Sequence, residues 1–97
     1  MKVLVVDDEP GVRSALQRAL TLERHDVRLA EDGQAALDIL ADATVDAIVL
    51  DVMMPRVDGL EVCRRLRAAG DRTPVLMLTA RDAIDDRVDG LLSLIHI

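Results

Sequence analysis

The stretch VLVVDDEP, residues 3–10, decides the fold because it joins a short apolar run directly to three acids and a proline. Four consecutive aliphatic residues without polar alternation are typical of a strand buried on both faces, as in a parallel sheet covered by helices. Proline is favoured at the first position of a helix, so Pro10 predicts that a helix follows at once. The stretch therefore indicates the first strand and helix of an α/β fold, with acids at their junction.

The same alternation of strand and helix continues along the chain. Two more apolar runs predict buried strands and a weaker, alternating run predicts an edge strand, at 47–50, 74–78 and 27–30 respectively. Apolar residues at helical spacing fill the intervals, at 12–20, 34–40, 62–69 and 84–91. Gly70 follows the third of these segments and is a helix stop signal. Strand and helix thus alternate four times, which predicts a parallel α/β sheet with right-handed crossovers.

The composition limits the functions open to the chain. Its 97 residues make one domain at most. The net charge of −6 provides no basic footprint, so we expect no DNA binding by this chain itself. The apolar run near the N-terminus is too short for a signal peptide or a membrane span, which predicts a cytoplasmic protein without membrane contact.

Polar residues follow three of the predicted strands: Asp7 and Asp8 follow the first, Asp51 follows the third, and Thr79 follows the fourth, with the small Ala80 next to it. Ligands of an open parallel sheet bind beyond the C-terminal ends of its strands, so these residues would converge if the strands are neighbours. Each acid taken alone is open to a simpler interpretation as a helix cap. Several acids at one place repel one another, and a cation is the usual remedy. A few carboxylate oxygens suit Mg²⁺, which takes oxygen ligands and keeps several of its waters. A carboxylate beside Mg²⁺ can act as a nucleophile toward phosphorus.

Three motifs carry a family resemblance, and they are VVDDEP at 5–10, DVMMPRVDG at 51–59 and LTA at 78–80. In order and spacing they resemble the signature segments of response-regulator receiver domains, over about residues 2–91. The resemblance implies a doubly wound, flavodoxin-like parallel sheet with strand order 2-1-3-4-5. It also implies a signalling module that is not itself an enzyme.

The resemblance assigns a metal site and a phosphoacceptor. Asp51 would accept the phosphoryl group. Asp8 and the backbone carbonyl of Met53 would bind Mg²⁺ alongside Asp51, and Asp7 would act largely through water. Glu9 would either begin the following helix or serve as a supporting charge.

The remaining signature residues would shape the site. Thr79 would hydrogen-bond the phosphoryl group, and the small Ala80 would leave room for it. Met54-Pro55 and Gly59 would shape the loop after the third strand, with Pro55 fixing its own φ and Gly59 adopting a conformation that other residues do not tolerate.

The resemblance also implies partners. The phosphoryl donor would be a phosphohistidine on a sensor histidine kinase, or a small acyl phosphate. The segment 79–91 is most similar to regulators with a C-terminal winged-helix DNA-binding domain, the OmpR/PhoB type. Their fourth helix pairs with a second subunit, so Asp85 and Arg87 would be candidates for contacts in a homodimer of the parent protein. On charges alone, a solvated helix face explains these residues equally well.

Three other functions are alternatives at this stage, and the sequence argues against the third. The chain could be a free-standing receiver that acts by protein–protein contact, or an α/β interaction domain without phosphorylation. A phosphatase with an Asp nucleophile needs Asp-x-Asp after its first strand, whereas Asp7 and Asp8 are adjacent, which would point their side chains in opposite directions.

The C-terminal part departs from the family pattern. A receiver has a fifth strand with a Lys that pairs with the phosphoryl group, whereas the one Lys here is Lys2, roughly 16 Å from Asp7 along the first strand. We therefore expect residues 1–91 to be a truncated receiver domain that lacks the fifth strand and fifth helix. Residues 92–97, LSLIHI, would be a non-native tail. The transposon mosaic-end adapter used in making sequencing libraries contains the DNA sequence CTG TCT CTT ATA CAC ATC, which translates as these six residues. Coding DNA with other codons there would contradict this.

Overall fold

The computed structural model describes residues 1–52, Met54 and residues 56–78. The elements in this part of the chain are β1 (Lys2–Val6), α1 (Pro10–Leu22), β2 (Asp26–Ala30), α2 (Gly33–Asp42), β3 (Ala47–Asp51), α3 (Gly59–Ala68) and β4 (Val75–Leu78). Each strand and helix predicted for this part is present, with bounds that differ by a few residues. The helix predicted at 84–91 lies outside the described residues.

All described strands are parallel, and their order is β2-β1-β3-β4. This confirms the predicted order 2-1-3-4, while the predicted absence of a fifth strand concerns residues that are not described. Because the strands are parallel, all of them end at one side of the sheet, here called the carboxyl edge. They all begin at the opposite side, here called the amino edge.

The sheet is buried on both faces, as the continuous apolar runs predicted. Alternate residues of β1 belong to two separate core clusters, because successive side chains of a strand point to opposite faces. One cluster contains Leu4 and Val6 with residues of α2 and α3, and the other contains Val3 and Val5 with residues of α1. The fold is therefore doubly wound, with helices on both sides of the sheet.

The weaker strand and the helix stop also follow the sequence. In β2, exposed and partly buried residues alternate until the buried Ala30, and β2 pairs with β1 at one end of the described sheet. Gly70 has a φ of 83° just after α3, a left-handed conformation that glycine adopts at little steric cost. Both features agree with the prediction.

Candidate functional site

The strand register brings two acids together at the carboxyl edge. Val6 at the end of β1 pairs with Leu50 of β3. Asp7 follows Val6 and Asp51 follows Leu50, so the two acids are neighbours across the sheet. Each of Asp7, Asp8 and Asp51 offers a carboxylate oxygen, and these oxygens all lie within 4.8 Å of one another. The predicted convergence of these three residues, here called the acidic cluster, is therefore present in the structure.

The acidic cluster is mostly sheltered from water. Asp7 is 1% exposed and Asp51 is 2% exposed, while Asp8 is half-buried. Two unit charges about 5 Å apart interact by about 3 kcal/mol at an effective dielectric constant of 20, so three carboxylates in this space repel one another strongly. A divalent cation would compensate that charge. Three carboxylates that leave further coordination positions open fit Mg²⁺, which prefers oxygen ligands and keeps several of its waters.

Helix capping does not explain the acidic cluster. The N-cap of α1 is Glu9, whose side chain makes no capping hydrogen bond. The N-caps of α2 and α3 are Asp32 and Asp58, whose carboxylates accept hydrogen bonds from Ala35 N and Glu61 N at 2.7 and 2.9 Å. Capping and clustering are thus divided between different acids, and the simpler interpretation of the sequence is wrong for the cluster.

The β1–α1 junction, residues 7–13, is fastened by local hydrogen bonds. The amide of Glu9 donates to Asp7 Oδ1 at 2.9 Å, and the amide of Arg13 donates to the carbonyl of Glu9 at 3.1 Å. The guanidinium of Arg13 donates from Nη1 to the backbone carbonyl of Asp7 at 2.8 Å. The sequence predictions did not include Arg13. A basic residue in the first turn of a helix was the available signal, because the helix dipole disfavours a cation there.

Gly59 supports the site for a different reason from the one predicted. It lies at the start of α3, and Gly70 is the glycine with positive φ in the described part of the chain. A Cβ on Gly59 would instead collide with the backbone carbonyl of Asp51, and would lie 2.9 Å from the Cα of Val52. The expectation of an unusual backbone conformation is therefore corrected. Glycine is required because α3 begins in close contact with the end of β3.

The loop between β3 and α3 is only partly described. The amides of Met54 and Gly59 both donate to the carbonyl of Val52, at 3.2 and 3.3 Å, and Met54 is buried. Leu78 pairs with Asp51 and immediately precedes Thr79 in the sequence. The predictions for Met53, Pro55, Thr79 and Ala80, and for Asp85 and Arg87, fall outside the described residues and stay predictions.

Comparison with known proteins identifies relatives over nearly the whole chain. The response regulator receiver domain family matches residues 3–94, which extends past the boundary predicted at residue 91. Response regulator MprA of Mycolicibacterium vanbaalenii is 56% identical over 91 residues, which make up 94% of this chain and 39% of that protein. The chain thus spans about two fifths of the length of this relative.

Solved structures show the same architecture. The receiver domain of the Francisella response regulator 1452 is 35% identical, with a TM-score of 0.79, and the match covers 95% of this chain and 76% of that one. TrrA of Thermotoga maritima, a response regulator in complex with Mg(2+)-BeF, is 25% identical, with a TM-score of 0.80, and the match covers 96% and 97% of the two chains.

Among the described helices, none has both the length and the apolar content needed to span a bilayer. The strand order, the acidic cluster and the family match over residues 3–94 agree with one another. The chain belongs to the response regulator receiver domain family.

Proposed function

We propose that Asp51 accepts a phosphoryl group, in a Mg²⁺-dependent reaction, from a phosphohistidine of a sensor histidine kinase. The observation that carries this proposal is the acidic cluster, in which the buried Asp51 has carboxylate oxygens of Asp7 and Asp8 within 4.8 Å. The family relationship supports it, because a receiver domain implies a histidine kinase as partner. A response regulator of the same fold, TrrA, has been solved with Mg(2+)-BeF.

In this proposal the residues of the carboxyl edge have different roles. Asp8, Asp51 and the backbone carbonyl of Met53 hold Mg²⁺, and Asp7 acts largely through water. Bound Mg²⁺ supplies compensation for the carboxylates and for the charge of the phosphoryl oxygens. Thr79 hydrogen-bonds the phosphoryl group, and Ala80 leaves room for it. The backbone of Asp51 is positioned by the pairing of β3 with Leu78 and by the start of α3, which lies against its carbonyl.

The chemical step is a single displacement at phosphorus. A carboxylate oxygen of Asp51 forms the new P–O bond while the P–N bond of the phosphohistidine breaks. The electron pair of that bond stays on the imidazole nitrogen, and the ring, which has taken up a proton from solvent on its other nitrogen, leaves as neutral imidazole. The protein contributes mainly position and charge compensation, as in phosphoryl transfer generally.

We infer that the parent protein is a cytoplasmic transcriptional regulator with a DNA-binding output domain, and that it forms homodimers. The relationship to MprA supports this, since that response regulator is much longer than the matched segment. The chain itself carries a net charge of −6 and would contribute no DNA binding. Residues 1–91 would form the receiver part and 92–97 the non-native tail. A free-standing receiver is the alternative output.

The experiment is phosphorylation of the 97-residue chain by acetyl phosphate, followed by intact mass spectrometry and peptide mapping. Wild type should gain one phosphoryl group on Asp51, and the gain should disappear when EDTA removes Mg²⁺. Asp51→Asn should abolish the label, whereas Asp46→Asn should keep it, because Asp46 is an exposed acid at the amino edge. A label on another residue, or one independent of Mg²⁺, would refute the proposed chemistry.

A further inference from the structure

Arg13 has an unusual position for a cation. It lies in the first turn of α1, half-buried, close to the positive end of the helix dipole. A cation there costs about 0.3–1 kcal/mol of helix stability, and an acid would be favoured. The first turn of α1 contains no acid, and the N-cap Glu9 forms no capping hydrogen bond with its side chain. Apart from Pro10 at its first position, the start of α1 therefore lacks the charge and the side-chain cap that usually favour a helix N-terminus.

The side chain of Arg13 instead reaches the backbone of Asp7, the first residue of the acidic cluster. Its Nη1 donates to the carbonyl of Asp7 at 2.8 Å, six residues back along the chain. Asp7 is fixed on its other side as well, since its amide donates to the carbonyl of Ala30 at 3.2 Å and its Oδ1 accepts from the amide of Glu9 at 2.9 Å. The bond from Arg13 thus closes the β1–α1 junction around the two adjacent acids, Asp7 and Asp8.

We propose that Arg13 is a positioning residue that holds the β1–α1 junction so that Asp7 and Asp8 present their carboxylates to a divalent cation. This inference rests on the Mg²⁺ site of the proposed function. Arg13 acts through the carbonyl of Asp7 and does not bind the cation. Groups that orient metal ligands typically contribute 10–100-fold to metal affinity.

Because Arg13 is positively charged, the direction in which its removal changes the Mg²⁺ affinity shows how it acts. If the guanidinium acted only as a positive charge beside three carboxylates, its removal would strengthen cation binding. If it acts by holding the junction, its removal weakens cation binding although the net charge becomes more favourable. The two roles therefore predict changes of Mg²⁺ affinity in opposite directions.

The test compares Arg13→Ala, Arg13→Lys and the matched control Arg18→Ala by calorimetric titration of the 97-residue chain with MgCl2. Arg18 lies on the same helix but is exposed. Arg13→Ala should raise the Kd for Mg²⁺ about tenfold. Arg13→Lys should recover part of the loss, since its ammonium can still donate to a carbonyl, and Arg18→Ala should match wild type.

A second measurement needs no metal. Amide hydrogen exchange of the EDTA-treated chain, followed by NMR, should be faster at Glu9 in Arg13→Ala than in wild type, and unchanged in Arg18→Ala. An unchanged or lower Kd in Arg13→Ala would overturn the inference and leave the Mg²⁺ site intact. Wild type that binds no Mg²⁺ would overturn both the inference and the proposed function, so the two failures are distinguishable.

Discussion

The two edges of this sheet differ in how their acidic residues are arranged and buried. At the carboxyl edge, Asp7 and Asp51 are 1% and 2% exposed and lie within reach of each other and of Asp8. At the amino edge, acids are exposed and interspersed with cations, and they include Asp26, Asp42 and Asp46 beside Lys2 and Arg28. The Oδ2 of Asp46 accepts a hydrogen bond from the amide of Lys2 at 2.7 Å.

The two edges differ in the energetic cost of the charges that they carry. Exposed, mixed charges cost little and contribute little, so the amino edge is what an ordinary protein surface looks like. Three carboxylates crowded at a sheltered edge repel one another, and this repulsion opposes folding. The carboxyl edge is therefore the part of the described chain where buried negative charge is concentrated.

The largest expected effect comes from breaking the backbone contact that supports the carboxyl edge. In Gly59→Ala, the new Cβ would collide with the carbonyl of Asp51 and crowd the Cα of Val52, and backbone cannot move aside cheaply. We expect the free energy of unfolding to fall by about 3 kcal/mol. Urea denaturation followed by far-ultraviolet circular dichroism measures it, since the chain has no aromatic residue for fluorescence.

Gly11→Ala is the matched control for this variant. A Cβ at Gly11 meets nothing within 4 Å, and the position is exposed in the first turn of α1. We expect its free energy of unfolding to stay equal or to rise by up to about 1 kcal/mol, because alanine favours the helix more than glycine does. Equal losses in the two variants would show that the close contact at Gly59 is not what matters.

A smaller change, in the opposite direction, is expected when the charge of Asp51 is removed and no metal is present, because the free energy of unfolding should then rise. Asp51→Asn relieves repulsion within the acidic cluster, so the EDTA-treated chain should gain about 1–2 kcal/mol in its free energy of unfolding. Asp46→Ala at the amino edge should lose about 0.5–1 kcal/mol, because it removes an exposed hydrogen bond to the amide of Lys2. Urea denaturation in EDTA compares both variants. A lower free energy of unfolding in both variants would contradict the difference between the two edges.

The smallest expected effect is a pH dependence near the amino edge. Hydrogen bonds from the hydroxyl and the amide of Thr73 hold the pKa of Asp71 below its usual range. A carboxyl with a lowered pKa in the folded chain contributes stability above its unfolded pKa, and that stability is lost as the pH falls through the folded pKa. Asp71→Asn should therefore reduce the loss of stability on acidification slightly. Melting temperatures measured from pH 6 down to pH 2 would test this, and parallel curves for both proteins would contradict it.

The sequence predicted the sheet because both of its faces are buried. Continuous apolar runs such as 47–50 are too short for a helix and rich in β-branched residues, which favours a buried strand, and the alternating run at 27–30 marked the strand at the end of the described sheet. The acidic cluster was predictable for a related reason, since parallel strands end at one edge. The position of each acid depends only on where its strand stops.

Other features of the site depend on contacts between distant parts of the chain. The requirement for glycine at position 59 arises from how closely α3 starts to the end of β3, and a glycine in a sequence does not distinguish this from a positive φ. The hydrogen bond of Arg13 depends on the conformation of a long, flexible side chain. Which acids cap helices also depends on where each helix begins to within one residue, which periodicity does not fix.

The most direct test of the central claim is whether the three carboxylates act together as one Mg²⁺ site. Calorimetric titration of the chain with MgCl2 should give one binding site in wild type, a strong loss of affinity in Asp8→Asn and in Asp51→Asn, and wild-type affinity in Asp46→Asn. Equal affinity in all four proteins would contradict the claim, since Mg²⁺ would then bind without the acidic cluster.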